Sequence, residues 1–232
     1  MKLEDSVVLV TGANRGIGLA FARAALARGA RKVYAGARDP SRVDIVGVQP
    51  LRLDVTSDDD VAAAAAACGD VSIVINNAGV ATFGGVMVDG SLQSARAQME
   101  VNYFGLLRMS QAFAPVLARN GGGALVNVLS VASWINRPTL GVYGSTKSAA
   151  WGLTNSLRHE LRGHGTQVLG AHFGFVDTDL TRGIEAPKST PDAIASRVLD
   201  ALEAGAEEVL ADEITQQVKR GLSADPGVYM KA

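Results

Sequence analysis

The stretch Thr11-Gly12-Ala13-Asn14-Arg15-Gly16-Ile17-Gly18 decides the fold, because it joins a short apolar run to a helical pattern. Ser6–Val10 before it is typical of a buried strand, and Ile17–Arg28 after it has the periodicity of a helix. Glycine lets the backbone approach a ligand closely, and the start of a helix offers unpaired N–H groups to an anion. The order of strand, glycine-rich turn and helix therefore predicts a pyrophosphate site, with a purely structural tight turn as the alternative.

Apolar runs and helical patterns alternate along the rest of the chain. This alternation predicts an α/β fold with a Rossmann-type doubly wound parallel sheet of about seven strands and helices on both faces. No repeat, linker or boundary is visible, which indicates a single domain over residues 1–232. Further strands are expected at Lys32–Ala37, Pro50–Val55, Val71–Asn76, Ala124–Leu129, Gln167–His172 and Glu208–Ala211. Further helices are expected after Ser57, over Ser91–Arg119 (which Pro115 could bend), over Val142–Arg162 and over Pro191–Glu203.

Composition excludes several classes of function. The net charge of −1, from 22 Lys+Arg against 23 Asp+Glu, gives no electrostatic footprint for nucleic acid or an anionic membrane. No apolar run approaches the roughly 20 residues that a membrane helix needs, and Glu4 and Asp5 are untypical of a signal peptide. One cysteine, Cys68, excludes an internal disulfide and suits a reducing cytoplasm. With three histidines and one cysteine, no metal site is expected.

The end of the second predicted strand bears on cofactor choice. An acidic residue there would bind the adenosine ribose hydroxyls and repel a 2′-phosphate. The chain instead has Ala37 followed by Arg38, and Arg15 in the glycine-rich turn could reach the same region. Two guanidinium groups favour a phosphate, which predicts NADP(H) over NAD(H). Asp39 leaves a preference for NAD(H) open as the alternative, because its carboxylate could bind the adenosine ribose hydroxyls.

A tyrosine and a lysine stand one helical turn apart, at Tyr143 and Lys147. Both side chains would project from the same helix face, and an ammonium beside a phenol should lower the tyrosine pKa from about 10. A tyrosine of that kind can act as an acid or base near neutral pH. Ser130 lies thirteen residues upstream and ends an apolar strand.

These segments together resemble the short-chain dehydrogenase/reductase family over nearly the whole chain up to about Thr178. The resemblance rests on several motifs in the family's order. They are the turn Thr11–Gly18, Asp54-Val55, Asn76-Asn77-Ala78-Gly79, Asn102 in the long helix, and the trio Ser130, Tyr143 and Lys147.

The resemblance implies an enzyme that transfers a hydride between a nicotinamide and a carbonyl or alcohol. It implies that Tyr143 is the acid/base, Ser130 holds the carbonyl oxygen, and Lys147 lowers the Tyr143 pKa and binds the nicotinamide ribose. Asn102 would hold a water that links Lys147 to solvent. The implied cofactor-binding residues are Gly12, Asn14, Arg15, Gly16, Ile17, Gly18, Arg38, Asp54, Val55, Asn77, Ala78, Gly79, Tyr143, Lys147, Gly174, Val176 and Thr178.

The chain departs from the family near the nicotinamide end, where Phe173-Gly174 replaces the usual Pro-Gly. His172 before it is interpreted as a core histidine. The segment 178–232 matches least, and it is expected to form the substrate side. Pocket lining is predicted, with core packing as an equal alternative, for Phe83, Val131, Trp134 and Leu140.

The main hypothesis is an NADP-dependent reductase of an apolar or aromatic ketone or aldehyde. One alternative is a reductase of carrier-bound 3-ketoacyl groups, which would need a basic entrance for which Arg137 and Arg182 are candidates. Another is a non-catalytic NADP-binding sensor, which should have lost one of the catalytic trio. The family also implies a homodimer or homotetramer through the two long helices. Apolar residues there suit an interface or a core equally: Leu106, Met109, Phe113, Trp151 and Leu157.

Overall fold

The computed structural model describes residues 1–230, and its strands form one parallel sheet. Lys231 and Ala232, the end of the predicted segment 178–232, lie outside the described residues. The strands are β1 (Val7–Thr11), β2 (Lys32–Ala37), β3 (Gln49–Arg52), β4 (Ile73–Asn76), β5 (Gly123–Val128), β6 (Thr166–His172) and β7 (Glu208–Leu210). Their order across the sheet is β3-β2-β1-β4-β5-β6-β7. The predicted doubly wound parallel sheet is confirmed.

Helices cover both faces of this sheet. They are α1 (Gly16–Ala27), α2 (Asp58–Ala67), α3 (Ser91–Met99), α4 (Leu106–Arg119), α5 (Gly141–Leu161), α6 (Pro191–Glu203) and α7 (Glu213–Gly221). Successive residues of a strand point to opposite faces, so β1 contributes to two cores. Val8 and Val10 pack with α1 and α6, whereas Val7 and Leu9 pack with α2, α4 and α5.

Helix starts follow from local side chains. Ser57 Oγ accepts a hydrogen bond from the Asp60 backbone N–H at 3.1 Å and caps α2, whose first turn carries three aspartates at its positive end. Thr190 caps α6 in the same way, and Pro191 occupies the first turn, where its missing N–H costs nothing.

The chain is helical from Ser91 to Arg119 as predicted, but the helix is not α-helical throughout. A π-helical stretch, Glu100–Gly105, separates α3 from α4, and α4 continues through Pro115. The irregularity therefore lies around Asn102, whose side chain bonds to the backbone of Val80. A π-helical turn often marks a functional site, and apolar periodicity does not reveal it.

Two further expectations change. The strand predicted at Pro50–Val55 is shorter in the structure, where β3 ends at Arg52. β3 lies at the edge of the sheet, and Pro50 is tolerated there because an edge strand has N–H groups that need no partner strand. The apolar residues considered for an interface lie in or against the core instead, namely Leu106, Met109, Phe113, Trp151 and Leu157.

Across residues 1–230, no helix has the length and apolar character that crossing a membrane requires.

Candidate active site

The carboxyl ends of four neighbouring strands bring the predicted site residues to one edge of the sheet. The chain winds outward from β1 to β3 and then returns to β4 on the other side of β1. This reversal is the topological switch point at which α/β sheets bind ligands. The glycine-rich turn follows β1, Asn77 follows β4, Ser130 follows β5 and Gly174 follows β6.

The glycine-rich turn has the shape that a pyrophosphate needs. Gly12 and Gly16 adopt φ of +67° and +56°, and a Cβ on Gly18 would lie only 2.2 Å from the Gly12 carbonyl oxygen. The α1 N-terminus has no side-chain cap and no acidic residue in its first turn, unlike α2. Its N–H groups and positive dipole end therefore suit an anion, and the residues present fit a dinucleotide cofactor.

The residues after β2 differ in how they are engaged. Asp39 Oδ1 accepts hydrogen bonds from the Ser41 backbone N–H at 3.1 Å and from Ser41 Oγ at 2.6 Å. Arg38 is exposed. Arg15 reaches across to Asp179, with a 3.3 Å ion pair between two largely exposed side chains. One Asp39 oxygen is thus already used locally, whereas the Arg38 side chain faces solvent.

Asp54 and Val55 lie beside this region, after β3. Although partial burial acts to raise it, hydrogen bonds from Thr56 and the charges of Arg38 and Arg52 lower the pKa of Asp54. Asp54 Oδ1 accepts from the Thr56 backbone N–H at 2.9 Å. Val55 is buried and packs in the core beneath the site. Asp54 is therefore an ionised acceptor close to the cationic end of β2.

Asn77, Ala78 and Gly79 connect the glycine-rich turn to the catalytic side. The backbone N–H groups of Asn77 and Ala78 both donate to Thr11 Oγ1, at 3.0 and 2.9 Å, and Asn77 Nδ2 donates to the Thr11 carbonyl. A Cβ on Gly79 would lie 3.3 Å from Asn102 Oδ1 and 3.7 Å from Lys147 Nζ. Sequence reasoning missed Thr11 as the acceptor that fixes this segment.

The four residues predicted to be catalytic lie together. Ser130 and Tyr143 share a side-chain hydrogen bond. Lys147 Nζ lies 5.9 Å from the centre of the Tyr143 ring and donates to the Val128 carbonyl at 2.9 Å. Asn102 Nδ2 donates to the Val80 carbonyl and to Thr146 Oγ1, each at 2.9 Å.

The expected effect of Lys147 on Tyr143 is wrong in this structure. The Tyr143 ring is partly exposed, but its hydroxyl is buried, and burial raises the Tyr143 pKa to about 12 against the lowering effect of the Ser130 hydrogen bond. Burial also lowers the pKa of Lys147 to about 8. Desolvation dominates because both groups lose water and each then favours its neutral form. Tyr143 consequently keeps its proton at neutral pH.

The Phe173-Gly174 segment is held by an aspartate that sequence reasoning missed. The Gly174 backbone N–H donates to Asp212 Oδ2 at 2.6 Å, while Asp212 Oδ1 caps α7 by accepting from the Thr215 N–H. Gly174 packs so closely on α7 that a Cβ would lie 2.6 Å from Ile214 Cγ2. The Asp-x-x-Thr pattern before an amphipathic segment is a cap signal that could have identified Asp212.

The next residues, Val176 and Thr178, lie against the glycine-rich turn. Val176 is buried, and its carbonyl accepts from Thr181 Oγ1 at 2.6 Å. Thr178 begins a short helical turn, and a Cβ on Gly16 would lie 3.3 Å from Thr178 Cγ2. The segment after β6 therefore closes over the start of α1.

The predicted pocket residues separate into two groups. Phe83 is 40% exposed, and Val131 and Leu140 are half-buried. Trp134 is buried instead, and its ring stacks on His172 with the centroids 4.0 Å apart. This burial and stacking favour the core-packing alternative for Trp134. Within residues 1–230, no cluster of three His, Cys, Asp or Glu side chains could hold a metal ion.

Comparison with known proteins agrees with this geometry. The family model described as short chain dehydrogenase matches residues 6–189. The crystal structure of a short chain dehydrogenase from Burkholderia cenocepacia J2315 in complex with NADP has a TM-score of 0.94 and 40% identity, over 97% of this chain and 96% of that chain.

Two curated relatives support the same assignment. An uncharacterised oxidoreductase from Staphylococcus epidermidis is 33% identical over 214 residues, which cover 87% of this chain and 92% of that protein. A short-chain dehydrogenase from Penicillium ochrochloron is 37% identical over 186 residues, covering 76% of this chain and 68% of that protein. The chain therefore belongs to the short-chain dehydrogenase family of oxidoreductases.

Proposed function

We propose that this chain is an NADP(H)-dependent reductase that converts a ketone or aldehyde to the corresponding alcohol. One arrangement carries the proposal: the Tyr143 hydroxyl, whose pKa burial raises to about 12, is hydrogen-bonded to Ser130 on the side of the sheet where the uncapped start of α1 suits a dinucleotide. Reduction of a carbonyl leaves negative charge on oxygen, so it needs a proton donor and a hydrogen-bond donor in the same place. Tyr143 and Ser130 supply both.

The residues divide the work as follows. A reduced nicotinamide, when bound, would supply the hydride that adds to the carbonyl carbon. Tyr143 Oη–H donates its proton to the carbonyl oxygen, and Ser130 Oγ–H donates a hydrogen bond to the same oxygen as charge develops. Lys147 stabilises the resulting phenolate and returns a proton toward it, because its pKa of about 8 leaves it largely charged at neutral pH. Asn102 holds the π-helical turn beside Lys147, where a water could carry the proton onward.

The same residues favour reduction over oxidation near neutral pH. Alcohol oxidation needs Tyr143 as a phenolate, and a pKa of about 12 opposes that form. In the reductive direction the proton is already in place. The free site therefore already holds the proton that carbonyl reduction uses, and alcohol oxidation should become faster as the pH rises.

The proposed preference for NADP(H) over NAD(H) rests on the charged side chains at the end of β2. Arg38 is exposed beside an ionised Asp54, and one Asp39 oxygen is used by Ser41. A 2′-phosphate would gain charge-assisted hydrogen bonds from Arg38, with Arg15 available on release from Asp179. The Burkholderia cenocepacia relative was solved in complex with NADP, which supports the same preference.

Apolar side chains around the site support an apolar or aromatic carbonyl substrate. A loop after β4 exposes several large ones and packs on the turn before Tyr143 through a Gly84 N–H to Thr139 carbonyl bond of 2.8 Å. On the other side of the site, Leu180 follows Thr178 and Ile214 lies against Gly174, and both side chains are exposed. These exposed apolar residues are Phe83, Val86, Met87, Val88, Leu180 and Ile214.

The alternative function, reduction of carrier-bound 3-ketoacyl groups, has less support than reduction of a free apolar carbonyl. Arg182, one candidate for its basic entrance, is ion-paired with Asp179. The sensor alternative is opposed by Ser130, Tyr143 and Lys147, which are all retained and lie together. A homodimer or homotetramer stays a prediction, which light scattering on the purified protein checks.

A substrate panel tests the function directly. Aliphatic ketones, aromatic ketones and aldehydes should be assayed with NADPH and NADH in parallel. The proposal expects turnover of apolar carbonyls, with kcat/KM at least about tenfold higher with NADPH, since one charge-assisted contact is worth that much. Tight NADPH binding without turnover of any carbonyl or alcohol would instead favour the sensor.

A further inference from the structure

The peptide group that joins Ser130 to Val131 is held at both of its polar atoms. Regular pairing of β5 with β6 ends at Val128 and Ala171, and the Leu129 N–H still donates to the Ala171 carbonyl at 2.8 Å. Beyond this point the Val131 N–H donates to the Phe173 carbonyl at 2.9 Å. The Ser130 carbonyl oxygen has a different partner, the His172 ring.

His172 Nδ1 lies 3.1 Å from the Ser130 carbonyl oxygen. A carbonyl oxygen only accepts hydrogen bonds, so Nδ1 must carry the ring proton. Burial lowers the pKa of His172 to about 4, which leaves the ring neutral and Nε2 without a proton at neutral pH. The geometry thus fixes one tautomer of this histidine.

The ring has almost no freedom to leave this contact. His172 is fully buried and stacks on Trp134, whose ring planes are inclined by 20°. Lys219 Nζ lies 4.7 Å from the centre of the same indole ring. Lys219 also pairs with Glu208 at 2.8 Å, and this carboxylate lies 3.8 Å from His172 Nε2. β7 and α7 thereby brace the ring.

We propose that His172 is a positioning residue for Ser130. The Nδ1–H bond to the Ser130 carbonyl, together with the Val131–Phe173 bond, sets the direction of Ser130 Oγ toward the Tyr143 hydroxyl. The inference rests on the proposed function, because it assumes that Ser130 binds the carbonyl oxygen. The sequence favoured a core histidine over a catalytic one at this position.

The first test does not need turnover. A long-range ¹H–¹⁵N NMR spectrum of the wild-type protein at neutral pH separates the Nδ1–H and Nε2–H tautomers of its three histidines. The signals that disappear in His172→Asn belong to His172. The proposal expects the Nδ1–H tautomer, and an Nε2–H tautomer would overturn it, since Nδ1 could then not donate to Ser130.

The second test compares His172→Leu with His172→Asn. The asparagine amide N–H lies near the place of Nδ1–H, whereas leucine has no donor. We expect kcat to fall about 10- to 100-fold in His172→Leu with little change in the KM for NADPH, because a small misplacement of a reacting group costs that much. His172→Asn should recover most of the rate. Equal losses in the two variants, or no loss in His172→Leu, would overturn the proposal.

Trp134→Phe serves as a control that perturbs the stack but keeps the donor, so its kcat should stay close to wild type.

Hydrogen exchange of the Val131 amide proton measures the same positioning without turnover. It should be faster in His172→Leu than in His172→Asn, and equal rates would contradict the role of the Nδ1 bond. If the wild type reduces no carbonyl while the tautomer and exchange results hold, the proposed function fails and the His172 contact stands.

Discussion

The Tyr143 hydroxyl and the Lys147 ammonium are both buried, and burial shifts both pKa values so that the neutral forms are favoured. The Tyr143 pKa rises to about 12 and the Lys147 pKa falls to about 8. Both shifts have the same cause, because burial removes water from each ionised group. Burial therefore keeps the proton on the Tyr143 hydroxyl. It also lowers the free energy of unfolding at neutral pH, because the charged Lys147 is held away from water.

Lys147→Met should stabilise the protein while abolishing activity. The lowering of the Lys147 pKa from 10.5 to about 8 corresponds to a cost of about 3 kcal/mol at pH 7. Since methionine also loses the bond to the Val128 carbonyl, we expect a gain of about 1 to 3 kcal/mol in the free energy of unfolding, measured with urea.

The pH dependence distinguishes this cause from better packing. Below pH 8 the folded and unfolded chains both hold the Lys147 proton, so the cost is fully present. From about pH 8 to 10.5 the folded chain releases it first, so wild-type stability rises relative to the variant and the difference shrinks. A difference that stays constant to pH 10.5 would contradict this account. Lys2→Met, at an exposed position, should show no such trend.

At the scale of elements, β1, the glycine-rich turn and α1 form a unit whose geometry depends on close backbone contact. The Gly12 carbonyl occupies the space that a side chain on Gly18 would need. Asn77 Nδ2 lies there as well, 2.6 Å from such a Cβ. The unit therefore cannot accept even a methyl group at this position without a shift of the backbone.

Gly18→Ala should both destabilise the fold and weaken NADPH binding. We expect a loss of about 3 kcal/mol or more in the free energy of unfolding, because backbone must move. Gly152→Ala, in the exposed face of α5 where no atom lies within 4 Å, is the matched control and should stabilise by about 1 kcal/mol. Urea denaturation and NADPH fluorescence titration measure the two effects. Wild-type stability in Gly18→Ala would contradict this close contact between Gly12 and Gly18.

α7 is a second element with a role at the site, through the two oxygens of Asp212. One oxygen caps the helix and the other holds the Gly174 N–H. Asp212→Ala should lower stability by about 1 to 2 kcal/mol and reduce NADPH affinity as well. Thr190→Ala removes the hydrogen bond that caps α6 and keeps the Asp212 bond to the Gly174 N–H, so it should lower stability alone. Equal NADPH affinities in the two variants would contradict the role of Asp212.

At the scale of the whole molecule, the sheet order brings together residues that are far apart in the chain. Arg15 meets Asp179, Thr11 meets Asn77 and Gly174 meets Asp212 because β1, β4, β6 and β7 end at one edge. The sequence predicted the alternation of strands and helices well, since buried parallel strands are apolar along their length and glycine-rich turns are local. Most element ends agree to a residue or two.

What could not be predicted depends on non-local contacts. The π-helical turn at Asn102 reflects its bonds to Val80, which periodicity does not encode. The burial that raises the Tyr143 pKa comes from segments distant in sequence, whereas Lys147 is a visible neighbour four residues away. Trp134 looked available because it follows Ser130 closely, but its stacking partner, His172, comes from another strand.

The central claim is that Tyr143 donates the proton during carbonyl reduction, and Tyr143→Phe tests it most directly. The ring and its packing remain, and only the hydroxyl is lost. We expect kcat to fall about 10²- to 10⁴-fold, the usual contribution of a positioned acid, with a dissociation constant for NADPH within about twofold of wild type. A Tyr143→Phe variant that binds NADPH normally and reduces carbonyls at the wild-type rate would contradict the account.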